Sequence, residues 1–210
     1  MKAKLLLIII GVGLIALVNT YAQNLNIGLS AGYDNVNIHV IPELSSLVKQ
    51  PYGHRNSFNI NCSISYRSRG IFGFSVEPGF IQKGASISKS RLEFNDLQLP
   101  LLADVYVLHK FCLSIGPEFS YMISAKIVNP IPPYTDDLSH RYNKFELSGL
   151  IGVNYMITKD IGIRISYNHG LTNIDKLPVY GDKWEVVRWV NLYNQYMQVK
   201  LCIRIQTIEF

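Results

Sequence analysis

Residues 72–80, FGFSVEPGF, alternate between two kinds of side chain. Phe72, Phe74, Val76 and Phe80 fall on one parity, and Gly73, Ser75, Glu77 and Gly79 on the other. Successive side chains of a strand point to opposite sides, so this pattern specifies a strand whose faces meet two different media. The same alternation recurs in eight stretches, at about 24–38, 57–67, 72–83, 95–108, 111–124, 144–157, 161–172 and 193–205. After residue 22 no stretch shows a helical period, so the chain reads as all-β.

The connections are of two kinds. RSRG (67–70), LHK (108–110) and TKD (158–160) are tight, and between them come longer links at 39–56, 84–94, 125–143 and 173–192. Short turns at one end and long loops at the other are the layout of an antiparallel up-and-down transmembrane barrel, here of eight strands. The apolar faces add a second regularity. Aromatic residues gather toward the long-loop end (Tyr33, Phe58, Phe80, Tyr121, Phe145, Tyr167, Tyr193) and toward the short-turn end (Tyr66, Phe72, Phe111, Tyr155). Aliphatic residues such as Ile60, Leu99, Ile115, Ile151, Ile163 and Leu201 lie between. Two girdles around an aliphatic band match the two interfaces of a bilayer. The competing reading is a soluble lipocalin-like carrier, which also closes eight antiparallel strands but turns its apolar face inward.

Residues 1–22 form a separate unit. Lys2 and Lys4 precede a 14-residue apolar run, Leu5–Val18, and NTYA leads to a cleavage position after Ala22. The run is shorter than the ~20 residues of a spanning helix, so the pattern is that of a secretory signal peptide. The mature domain is then 23–210, destined for the outer membrane. Without Lys2 and Lys4, 18 basic side chains face 15 acidic ones, too mild an excess to suggest nucleic acid. With 48% hydrophobic and 17% charged residues the composition excludes a disordered chain. Cys62, Cys112 and Cys202 are odd in number and widely spaced, and the five histidines show no ligand spacing, so neither a disulfide framework nor a metal site nor a cofactor is expected.

Four segments carry a family resemblance: VEPGFIQKGA (76–85), LQLPLLADVYV (97–107), SIGPEFSYMI (114–123) and GIRISYNHGLTNI (162–174). In this order and spacing the chain resembles the PorT-type outer-membrane β-barrel domain family of Bacteroidota over about 24–206. The resemblance implies an outer-membrane barrel, with members that take part in secretion or maturation of surface proteins, and brings no catalytic motif. Phe210 departs from the pattern of a terminal aromatic residue in phase with the lipid face, because Ile203 and Ile205 have the opposite parity. Either a bulge shifts the phase or the last residues lie beyond the strand.

Two groups of residues are candidates for function. Glu77, Asp104, Glu118 and Glu146 from the middle strands and Arg164, Lys200 and Arg204 from the last two point away from lipid. An eight-stranded barrel is only wide enough for side chains to fill, and uncompensated buried charge is costly, so these residues are expected to pair as a plug. The alternative is a narrow or gated polar channel. The last long link carries Tyr180, Trp184, Arg188 and Trp189, the residue types that anchor protein interfaces. They make it the expected contact with envelope or secretion proteins, while the wall contacts outer-membrane lipid. His169 near the rim has no His-x-Ser partner, so catalysis is not expected. Pro78, inside a strand, predicts a bulge.

Overall fold

The computed structural model describes residues 22–42, 52–68, 70–108, 110–180 and 185–209. The expected signal peptide lies outside them except for Ala22, which opens the first strand. The described residues form eleven strands: β1 (Ala22–Ile41), β2 (Arg55–Ser68), β3 (Phe72–Val76), β4 (Gly79–Ile87), β5 (Ser90–Leu108), β6 (Phe111–Pro130), β7 (Pro133–Asp137), β8 (Phe145–Met156), β9 (Ile161–Gly170), β10 (Asp175–Tyr180) and β11 (Val186–Glu209). β3 and β4 are the two halves of one stave. The ring runs β1, β2, β3/β4, β5, β6, β8, β9, β11 with antiparallel pairs throughout, and β11 returns to β1. Closure leaves eight staves and no edge within the wall, as a lipid-embedded sheet requires.

The wall divides the side chains by medium. Ile60, Ile115 and Ile165 are 54%, 59% and 52% exposed, while Lys83 and Lys200 inside are 0% and 1% exposed. A soluble carrier would show the reverse, so that alternative is rejected. The upper girdle is continuous across strands. Tyr33 pairs with Phe58, the Phe58 and Phe80 rings lie 5.9 Å apart, and Tyr121 meets Phe145 at 5.0 Å. Phe111 pairs with Tyr155 in the lower girdle. Tyr193 does not belong with these. It pairs with His39, six residues beyond Tyr33 and so roughly 20 Å above the girdle.

The long-loop end differs most from expectation. β11 has 24 residues and β1 and β6 have 20, about twice what a tilted strand needs to cross a bilayer. The barrel therefore projects beyond the membrane. The expected loop at 84–94 is a hairpin in which Ile87 pairs with Ser90, with Ser88 in the left-handed region at φ 53°. Much of 125–143 and 173–192 is likewise strand, as β7 pairs with β6 and β10 with β11. In this projecting part the apolar parity reverses. Below, Ile27, Leu29, Ala31 and Tyr33 face outward; above, Val36, Ile38 and Val40 face inward and are buried, with no register shift between. Ile38, Leu92, Phe94, Met122, Val190 and Leu192 join in one apolar cluster with Tyr142 and Ile174. Water replaces lipid outside, so the favoured side for apolar surface changes from outside to inside.

Two local expectations resolve differently. Pro78 interrupts the stave without a bulge: Val76 pairs with Ile64 and Gly79 with Asn61, so register is unchanged. Its carbonyl still accepts from Cys62 N at 2.9 Å. The bulge lies instead near the C-terminus. Ile27 pairs with Gln206 and Gly28 with Arg204, leaving Ile205 as the extra residue. Beyond it Ile208 pairs with Leu25 on the outward face, which is the phase shift that a terminal aromatic needs. Phe210 itself lies outside the described residues.

Candidate functional site

Parity along each stave sets what enters the lumen. On the third stave the inward positions are Gly73, Ser75, Glu77, Gly79, Ile81 and Lys83, the last at 0% exposure. Lys83 is the centre of the upper lumen. Its Nζ lies 3.1 Å from Glu146 Oε2, 3.4 Å from Glu118 Oε1 and 3.7 Å from Asp96 Oδ2, and it donates to Ser120 Oγ at 2.8 Å. The Tyr196 hydroxyl donates to Glu118, and Asn194 Nδ2 donates to Glu146 at 2.8 Å. One cation thus ties together the third, fourth, fifth and sixth staves.

Lower down, Arg164 Nη1 pairs with Glu77 Oε1. Their staves are third and seventh of eight, so this pair spans the full diameter. Between the two clusters, Asn59 Nδ2 donates to Asp34 Oδ1 at 2.7 Å. With the Asn61 amide turned to put its oxygen inward, that oxygen lies 3.0 Å from Lys200 Nζ. Charge-assisted hydrogen bonds of this kind offset the desolvation of the buried groups.

The seven lumen residues expected from sequence therefore separate. Glu77, Arg164, Glu118 and Glu146 take part in ion pairs. Asp104 accepts from Ser114 Oγ at 2.5 Å, Lys200 sits beside the Asn61 amide, and Arg204 lines the short-turn mouth; none of these three forms an ion pair with a described carboxylate. Asp34, Lys83 and Asp96 were not singled out in the sequence, although parity alone places them inside. Carrying the alternation past Pro78 to Lys83, and from Gln98 back to Asp96, was the available signal.

Above the charged lumen sits the apolar cluster, with Phe94 and Tyr142 edge to face at 4.8 Å. Arg55 closes the seam where β2 and β4 part. It pairs with Glu93 at 3.3 Å, donates to the Lys83 carbonyl at 3.0 Å and also reaches Gln82 Oε1. Of the interface candidates, Trp189 is 59% exposed and pairs with Pro178, and Arg188 is partly buried opposite Val179. Tyr180 is the last residue of β10, and Trp184 lies outside the described residues. His169 Nδ1 lies 3.5 Å from the Tyr167 hydroxyl and its ring 6.1 Å from that of His39. Among the described residues no group of three or more His, Cys, Asp or Glu side chains is placed to hold a metal ion. The three cysteines are free.

The profile of the outer membrane protein beta-barrel domain family matches residues 21–176, nearly three quarters of the chain. The chain belongs to that family. This outer membrane barrel also matches solved structures in fold. Neisserial surface protein A is 14% identical over 85% of this chain and 97% of its own, with a TM-score of 0.51. Ail, the attachment invasion locus protein of Yersinia pestis, is 14% identical over 86% of this chain and 99% of its own in its complex with the heparin analogue sucrose octasulfate, at a TM-score of 0.45. Outer membrane protein W of E. coli is 12% identical over 89% and 100%, at 0.39. A search of curated protein sequences finds no match. The family places the barrel in the outer membrane, with its girdles at the two leaflets.

Proposed function

We propose that this barrel is a sealed, non-enzymatic membrane anchor whose projecting hairpins engage an envelope or secretion protein. One observation carries the reading: the interior is filled twice over, by the charged network around Lys83 and by the apolar cluster above it. With the wall facing lipid and the lumen filled, partners meet only the ends. At the outer end the β10–β11 hairpin carries Val187 and Trp189 exposed on one face, and the β6–β7 turn exposes Ile131. Met197 marks the girdle on β11, and Trp189 lies about 26 Å along the strand beyond it. Exposed apolar and aromatic side chains so far from lipid are the composition of a binding surface. The PorT-type resemblance supports a role in surface-protein secretion or assembly, after export on residues 1–22.

The test is photocrosslinking from position 187, exposed on the same face as Trp189, in native membranes, with the captured protein identified by mass spectrometry. Trp184→Ala with Trp189→Ala is expected to abolish capture while the folded band persists in heat-modifiable gel mobility. Undiminished capture by the double variant would reject this hairpin as the contact.

A further inference from the structure

The short-turn end, which faces the periplasm, gathers more cations than anions. Arg67 near the end of β2 and Arg204 near the end of β11 come from the two staves that flank β1. A cavity of about 400 Å³ opens between them, lined also by Asn24, Asn26, Tyr106, Thr207 and Lys159 and by the carboxylates Asp160 and Glu209. A smaller cavity of about 70 Å³ lies further in and is again bordered by Arg67 and Arg204, together with Lys110, Arg164 and Asp104.

The charges at this end do not cancel. Arg164 is taken by Glu77, Asp104 is held by the Ser114 hydroxyl, and Asp160 lies 4.0 Å from Lys159. Among the described residues no carboxylate forms an ion pair with Arg67 or Arg204. Arg67 is nonetheless held in place, its guanidinium carbon 4.2 Å from the centre of the Tyr106 ring. That ring fits because Gly73 has no side chain: a Cβ there would come within 2.8 Å of Tyr106 Cε2. Stacking on an aromatic face fixes the plane of a guanidinium and leaves its edge of N–H donors free.

We infer that this mouth is a binding site for the terminal carboxylate of a periplasmic peptide chain. Two guanidinium forks suit a planar two-oxygen anion, which each can bind through parallel hydrogen bonds. The neutral lining argues for a peptide rather than a simple phosphate. The Asn24 and Asn26 amides and the Thr207 hydroxyl offer both donors and acceptors, matching the alternating N–H and C=O groups that precede a chain end; inorganic phosphate, with at most two O–H donors on one centre, cannot extend along them. Thr207 already donates to Asn26 Oδ1 at 2.8 Å, which orients the Asn26 N–H groups. The volume is that of a small-ligand site. The proposal concerns the opposite end of the molecule from the hairpin surface and stands independently of it.

The probe is fluorescein-labelled Gly-Gly-Asn with a free C-terminus, titrated by anisotropy against the full-length barrel in lipid nanodiscs at low salt. The free acid is expected to bind at least about tenfold more tightly than the same peptide as its C-terminal amide, and to weaken as salt is raised. Arg67→Gln with Arg204→Gln is expected to reduce binding about tenfold or more. Arg67→Lys with Arg204→Lys keeps the charge, loses the fork and is expected to fall between; it also serves should the Gln variant not fold by gel mobility. Trp189→Ala is expected to leave binding unchanged. Equal binding of acid and amide, full binding by the Lys variant, or displacement by inorganic phosphate at concentrations equal to competing free peptide would each overturn the assignment.

Discussion

Lys83 brings a single positive charge to Asp96, Glu118 and Glu146 at full burial, so its removal leaves several carboxylates facing one another in a low dielectric. Lys83→Met is expected to destabilise the barrel by about 3–5 kcal/mol, read from urea unfolding in micelles. Adding Glu118→Gln and Glu146→Gln should recover much of that loss, because the variant then has fewer uncompensated charges; no recovery would mean that Lys83 acts through packing alone. Gly116 is demanding for a different reason. A Cβ there would sit 1.9 Å from the Leu101 carbonyl oxygen, a backbone atom that cannot step aside. Gly116→Ala is expected to remove most of the folded, heat-modifiable form, whereas substitution at Gly149, whose Cβ would meet nothing nearer than 4.0 Å, should be tolerated.

At the level of elements, the projecting hairpins behave as a small water-soluble domain built on membrane staves. Tyr142 shows how they respond to pH. Burial against Phe94 and its neighbours pushes the phenol from 10.0 up to about 12. In the unfolded cap the phenol ionises above pH 10, while in the folded cap it keeps its proton. Stability from this group is therefore complete below pH 10 and is lost as pH rises toward 12. Protection factors for hydrogen exchange, corrected for hydroxide catalysis, should fall at the β6–β7 and β10–β11 amides over that range while those of the membrane staves hold. Tyr142→Phe is expected to flatten the dependence.

For the whole molecule, the charged lumen and the apolar cap lie in series along one axis, so each is expected to block ions without the other. The unmodified barrel is expected to show no steady current in planar bilayers. Glu77→Ala with Glu118→Ala disrupts the lower and upper ion pairs but leaves the cap closed, so little current should follow. Ile38→Asp with Leu192→Asp opens the cap alone, with the same result. Combining all four substitutions should produce conductance. A large, stable current in the unmodified protein would instead establish the channel reading.

Eight staves, closure, the girdles and the inward charged parity were all legible in the sequence, because lipid outside and a narrow interior impose a period of two on every stave at once. The parity reversal was legible too, in the change from Ile27, Leu29 and Ala31 to Val36, Ile38 and Val40, though without the fold those residues read as the approach to a loop. Which charges pair was not. Parity states that a side chain points inward, but its height and azimuth depend on stagger between staves, and register with distant strands sets that. So Lys83 meets carboxylates from three other staves, while Arg204, expected in the same network, stands near the mouth beside the Ile205 bulge. The period-two pattern determined what faces lipid; only the closed ring, by fixing relative height across the lumen, decided which buried charges meet.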